Sequence, residues 1–248
     1  MDDLTPMLKN WKYKPDDLNV RLIKGQDGKP KVQMRIDLGI LQMELDGRPD
    51  GRRPHHFETY LNYFVHKARE HKSKRFAKLY RLSPMDCWLL QQESIQFYHR
   101  YLALMRLGDY SRVIRDTLRN LHVFDFVAKY SDDDEIIWSF EQYRPYVIMM
   151  NTRANTSLSL EYDDYDKALE HIRHGVATLK RFHRKFADRM GEDLMELEML
   201  LEWAEDIEKR KPLTEREKIS QELQRAINLE EYERAAILRD RLASLRRR

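Results

Sequence analysis

Two hydrophobic periods divide the chain near residue 55. Before it, Val32, Met34, Ile36 and Leu38 alternate with Gln33, Arg35 and Asp37, the period of a strand with one buried face. Residues 20–23 and 31–38 flank the turn-rich segment 25–30, so they predict a β-hairpin. The alternation changes phase after Gly39 and resumes at Leu41, Met43 and Leu45, the mark of a bulge or of a turn into a third strand. Two or three strands alone are marginal, so this small antiparallel sheet is expected to pack on a helical body.

Five of the eight glycines and five of the eight prolines precede residue 55, and the rest of the chain is mostly helix. Phe57, Tyr60, Leu61 and Phe64 make an aromatic core stripe at helical spacing. Ser83, Pro84 and Asp86 open a helix that runs to about residue 107. Gly108 and Asp109 break it, and a further helix spans 110–130. The acidic segment 131–134 caps the next helix, which Pro145 kinks or splits. Another begins near Asp163 and continues to about Met190, where Gly191 ends it.

The last 36 residues, 213–248, carry the most specific pattern. Thr214 and Glu217 form a capping box ahead of a helix with Ile219, Leu223, Ala226 and Ile227 on one face. After a break at Asn228 and Leu229, a second helix starts near Glu230 with Tyr232, Ala235, Ala236, Leu238, Leu242 and Leu245 at spacings of three and four. Domains below about 40 residues usually need a disulfide, a metal or a partner, and this tail has neither Cys nor His. Adjacent Ala235 and Ala236 let another helix approach closely. Residues 231–242, EYERAAILRDRL, resemble the UVR motif, a helical hairpin named after the excision-repair proteins UvrB and UvrC. Tyr232 stands where phenylalanine is commoner and keeps the apolar contact. The resemblance implies a protein-protein contact of the kind that joins UvrB to UvrC and recurs in Clp ATPases and an adaptor of theirs. It places partner binding on Tyr232, Ala236, Arg239, Asp240 and Leu242. Packing on its own body or homodimerisation remains the alternative.

An acidic-Tyr step recurs at three helix starts, around Tyr110, Tyr165 and Tyr232. The first two are similar to the inter-helix turn of tetratricopeptide repeats, but their spacing is not near a multiple of the ~34-residue repeat. The expected fold is therefore mainly α, an irregular stack of helical hairpins with a small N-terminal antiparallel β-element and a C-terminal two-helix hairpin. The expected division is 1–56, 57–208 and 213–248. A stack of this kind presents a concave groove, which favours binding over chemistry.

Composition changes this picture little. With 248 residues, 42% apolar and 35% charged, the chain is globular, and 45 Lys and Arg against 42 Asp and Glu do not by themselves imply nucleic acid. Locally, Lys67, Lys72, Lys74, Arg75 and Lys78 belong to a basic stretch, 66–82, with Phe76 and Tyr80 interleaved; such a face can follow a nucleic-acid backbone, as an accessory of DNA repair would. The acidic segment 192–208 would neutralise it if the two lay side by side. The lone Cys87 rules out an internal disulfide and fits a reducing compartment. The opening residues have no apolar leader and no run is long enough to span a bilayer, so the expected location is cytoplasmic, with no membrane partner.

Candidate chemistry is sparse. The loop 46–56 sets Arg48, Arg52 and Arg53 beside flexible glycines ahead of a helix, an arrangement that can bind a phosphate or carboxylate or simply connect strand to helix. There is no H-E-x-x-H, C-x-x-C, G-x-x-x-x-G-K-[ST] or G-x-S-x-G. His171 and His174 share a helix face without an evident third ligand. Cys87 lies near a helix N-terminus, which lowers a thiol pKa, but with no placed base it reads as a buried structural residue. Arg144 and the polar residues Asn151 and Asn155 either line a groove or bond helix to helix. No metal, no cofactor and no enzymatic activity are expected. The reading is a bacterial-type adaptor or scaffold.

Overall fold

The computed structural model describes residues 3–73, 80–191, 195–213 and 215–244. They form two compact units, residues 1–204 and 205–248.

The first unit opens with a short helix, α1 (Thr5–Asn10), started by Pro6 in its first turn, which the hydrophobic pattern does not announce. Three antiparallel strands come next in the order β1 (Val20–Lys24), β2 (Pro30–Ile36) and β3 (Gly39–Glu44). The phase change after Gly39 is thus a turn into a third strand. Val32 faces Leu22 and Met43, and Met34 faces Val20 and Leu41. The expectation of one buried face holds only in part, because β2 is covered on both sides. Val32 and Met34 are buried, and so are Lys31, Gln33 and Arg35. Their polar groups are used: Arg21 Nε donates to Gln33 (2.9 Å), Gln33 Nε2 donates to Gln42 (2.8 Å), and Arg35 Nε donates to the Trp11 carbonyl (3.1 Å). Trp11 also lies under the Arg21 guanidinium at 4.0 Å. Ile36 and Leu38, read as part of the buried face, are exposed, since β2 ends at Ile36 and the chain turns there.

Beyond the loop 46–56 come α2 (Tyr60–Ser73), α3 (Pro84–Leu107), α4 (Tyr110–Tyr130), α5 (Asp134–Glu141), α6 (Arg144–Leu160), α7 (Tyr165–Lys185) and α8 (Met195–Arg210). Their starts obey the predicted chemistry. Ser83 and Asp86 make reciprocal side-chain to backbone bonds of 3.2 and 2.9 Å, and Asp109, Asp133 and Asp164 cap α4, α5 and α7. Gly108 adopts φ 77°, the left-handed cap that lets α3 end and α4 begin within two residues. Pro145 splits rather than kinks: α5 stops at Glu141 and α6 starts at Arg144. The helix expected to reach Met190 ends at Lys185, where Phe186 leaves helical geometry and its ring packs on Phe182 and Trp138.

α3 with α4, and α6 with α7, are antiparallel helical hairpins, and α4 also packs on α6. The helices are 24, 21, 17 and 21 residues long, each pair longer than a ~34-residue repeat and the two pairs unequal, so the stack is irregular. Phe64, Leu90, Val123, Phe124, Val127, Phe140 and Val147 form the core, and the sheet packs on α3. Arg144 and Asn151 bond helix to helix. Arg144 pairs with Glu141 (2.5 Å) and Asp125 (2.8 Å), and Asn151 donates to Thr117 of α4 (2.8 Å). The second unit consists of the end of α8 and the pair α9 (Glu215–Asn228) and α10 (Tyr232–Ser244). No helix among the described residues is long and apolar enough to cross a membrane.

Candidate protein-binding site

The C-terminal pair turns at 229–231. Glu230 takes φ 59°, and Glu231 N–H donates to the Ala226 carbonyl (2.8 Å), closing the end of α9. Ile219 and Ala226 of α9 meet Ala235 and Leu238 of α10 in a narrow buried seam flanked by Leu223 and Leu242. Two alanines next to the turn bring the helices close there. Arg241 and Glu215 form an ion pair of 2.9 Å between the two helices. Thr214, half of the expected capping box, and Leu245 lie outside the described residues.

The seam uses fewer apolar residues than the sequence pattern assigned to it. Ile227, placed with Ile219, Leu223 and Ala226 on one face, points outward and is 45% exposed, and Tyr232, named for partner binding, is 69% exposed. Leu229 (68%) and Ile237 (69%) join them. Four large apolar side chains are thus left exposed on a short pair of helices, which water does not favour. Ile237 was not singled out in the sequence, although its place one residue before seam-forming Leu238 sets it on another face of α10. Of the residues named from the resemblance, Tyr232, Arg239 and Asp240 are exposed, Ala236 is half-buried, and Leu242 packs against the seam. Arg239 and Asp240 pair with each other at 3.0 Å.

The other candidates fare differently. Arg48 does not present itself to solvent. It sits 3.3 Å from the buried Glu93 carboxylate, 3.4 Å from Asp50 and over the Tyr60 ring. Glu93 in turn accepts from the Tyr60 N–H (2.8 Å) at the start of α2 and pairs with Arg119, whose guanidinium burial pushes down to about 10. Of the three loop arginines, Arg48 is thus pinned to the core, while Arg52 and Arg53 are exposed. His55, at φ 48°, stacks on Tyr63. Lys67 and Lys72 are exposed on α2, with Lys67 beside the Tyr63 ring, while Lys74, Arg75 and Lys78 lie outside the described residues. Cys87 is buried, and burial pushes its thiol up to about 11, opposite to the lowering a helix N-terminus gives. His171 and His174 lie on α7, and among the described residues no group of three His, Cys, Asp or Glu is placed to hold a metal.

A family model described as the UvrB/uvrC motif matches residues 214–248, the segment that forms α9 and α10. The chain thus carries a UVR motif as its C-terminal helical pair, and the helical body lies outside the match. Comparisons with curated proteins and with solved structures give no match.

Proposed function

We propose that the chain is a non-catalytic adaptor or scaffold that docks on another protein through the outer face of α9 and α10. The observation that carries this reading is the exposure of Ile227, Leu229, Tyr232 and Ile237 on a hairpin whose own seam is only four residues deep. A partner laid against the hairpin would cover some of these side chains, and burying a large apolar side chain contributes about 1.5–3 kcal/mol. The UVR motif supports a helical hairpin as the partner, in an excision-nuclease subunit, a Clp-type ATPase or a second copy of this chain.

The test is the affinity of the full chain for isolated hairpins of these three kinds, measured for the parent and for the variant Tyr232→Asp, Ile237→Asp. Both positions lie outside the seam, so the fold should persist. At least one hairpin should bind the parent, and the variant should weaken it by about tenfold or more, the loss of one hot spot. Equal binding by parent and variant removes the proposal.

A second reading rests on Lys67, Arg69 and Lys72, which are exposed on α2 and form no ion pair among the described residues. It makes the body a nucleic-acid-binding accessory. Binding that weakens steeply between about 50 and 200 mM salt would support it, and no mobility shift at low salt would remove it.

A further inference from the structure

The helical body holds a cavity of about 530 Å³ between α3, α4, α5 and α6, with Glu196 of α8 on its wall. It is a cleft open to solvent, with Ile95, Tyr98 and Tyr143 exposed on its wall and Tyr101, Phe124 and Phe140 buried at its base. Phe and Tyr rings make up much of its apolar wall. Tyr98 stands 6.1 Å from Tyr146 and edge-on to Tyr101, and Phe124 lies edge-on to Phe140 at 6.0 Å. A mostly apolar cavity of this volume with a few polar groups has the character of a small-ligand site.

Which ligand it takes depends on the polar groups that remain available. Ser94 and Asn120 are committed elsewhere: Ser94 Oγ donates to the Leu90 carbonyl, Asn120 Nδ2 donates to the Ser94 carbonyl, and Arg119 donates to the oxygens of both side chains. His99 is kept neutral, because burial lowers its pKa more than its backbone bond to Ile95 raises it. No Lys or Arg lines the cavity among the described residues. Arg153 is near enough to act electrostatically on Tyr146 but is not part of the wall. The one formal charge is the carboxylate of Glu196, which forms no ion pair among the described residues. Ring faces carry partial negative charge, so rings and carboxylate act in the same direction and favour a cation over an anion.

We propose that this cavity binds an organic cation, an ammonium or guanidinium group on an apolar stem, with the stem among Tyr98, Phe124, Phe140 and Tyr146 and the charge toward Glu196. A free amine or the Lys or Arg side chain of another protein supplies that chemistry equally. The site is independent of the C-terminal hairpin and stands or falls apart from it.

The probes are phenethylammonium, its neutral counterpart 2-phenylethanol and N-acetyl-arginine methylamide, titrated calorimetrically into the full chain. Phenethylammonium should bind about tenfold more tightly than the alcohol, the ratio that a partly desolvated cation–π and carboxylate contact provides. Glu196→Gln should reduce that ratio to near one, and Ile95→Trp, which fills the entrance, should weaken both aromatic probes; circular dichroism checks that each variant is folded. Tighter binding of the blocked arginine identifies a side chain as the natural occupant, and tighter binding of phenethylammonium identifies a free amine. Equal affinity for charged and neutral probes, an unchanged ratio in Glu196→Gln, or no binding of any probe at about 10 mM would each overturn the proposal.

Discussion

Replacing Arg100 by methionine removes a guanidinium that is fully buried and fully used. Its Nε and one terminal nitrogen donate to the two oxygens of Asp116 at 2.7 and 2.9 Å, and the other terminal nitrogen donates to the carbonyls of Glu44 and Gly47 at 2.9 and 2.8 Å. One side chain thus ties the end of β3 and the adjoining loop to α3 and α4. Methionine keeps the apolar stem near Phe97, but Asp116, itself fully buried, then keeps Arg115, at 2.9 Å, as its ion-pair partner among the described residues, with Arg119 acting on it from further away. Breaking a buried pair by removing one member costs about 3–5 kcal/mol. For a body of this size that is a fall in Tm of about 6–20 °C. Asp116→Leu in the same chain removes the stranded charge, so the double variant should recover about 2 kcal/mol relative to the sum of the singles. Urea denaturation monitored by far-ultraviolet circular dichroism measures all four corners of this cycle. A cost below about 1 kcal/mol for Arg100→Met, or strict additivity, would refute the assignment of these arginines to structure and reopen them as ligand-binding groups.

The body yields three further expected outcomes. His99 has its folded pKa depressed below the ordinary 6.5 by burial, so the stability it contributes is present above that value and is lost as pH falls through the lower folded one. The midpoint of unfolding should therefore drop on acidification below about 6.5, less so in His99→Gln; an unchanged slope would contradict this, the remaining slope being assigned to His171, which burial lowers in the same way. Cys87 should react with a thiol reagent only on unfolding, and rapid labelling of the native chain would contradict its burial. A Cβ at Gly175 would sit 2.7 Å from Thr152 Cγ2 and nearer still to its Oγ1, where α6 and α7 pack. Gly175→Ala should therefore destabilise by about 1–2 kcal/mol despite alanine's better helix propensity, and a stabilised variant would show that Thr152 can move aside.

Local chemistry was the most legible part of the sequence. Ser83, the break at Gly108 and Asp109, the acidic segment 131–134 and the start near Asp163 are legible because a cap needs only its own next three residues, and the structure places the caps of α5 and α7 at Asp133 and Asp164. The tail was legible for a similar reason, since its pattern is short and continuous. Features that depend on residues distant in the chain were not. The loop arginines Arg48, Arg52 and Arg53 look alike in sequence, yet Arg48 turns inward to Glu93, 45 positions away. The burial of both faces of β2 depends on Trp11 and Tyr13 lying beneath Arg21 and Arg35. Ile227 falls outside the seam because two short helices meet along a line narrower than the apolar stripe that periodicity marks out. The cavity beside Glu196 gathers residues from five helices and leaves no local trace.

The central claim is that the outer face of the C-terminal hairpin is covered by another polypeptide when the protein works. Photo-crosslinking amino acids placed singly at Tyr232 and Ile237, and at the 87% exposed Leu38 as a control, test it in the native setting of the full chain. The account predicts discrete crosslinked products, a partner protein or a second copy, from the two hairpin positions and none from Leu38. Absence of crosslinks at both hairpin positions, or the same products from the control, would contradict it.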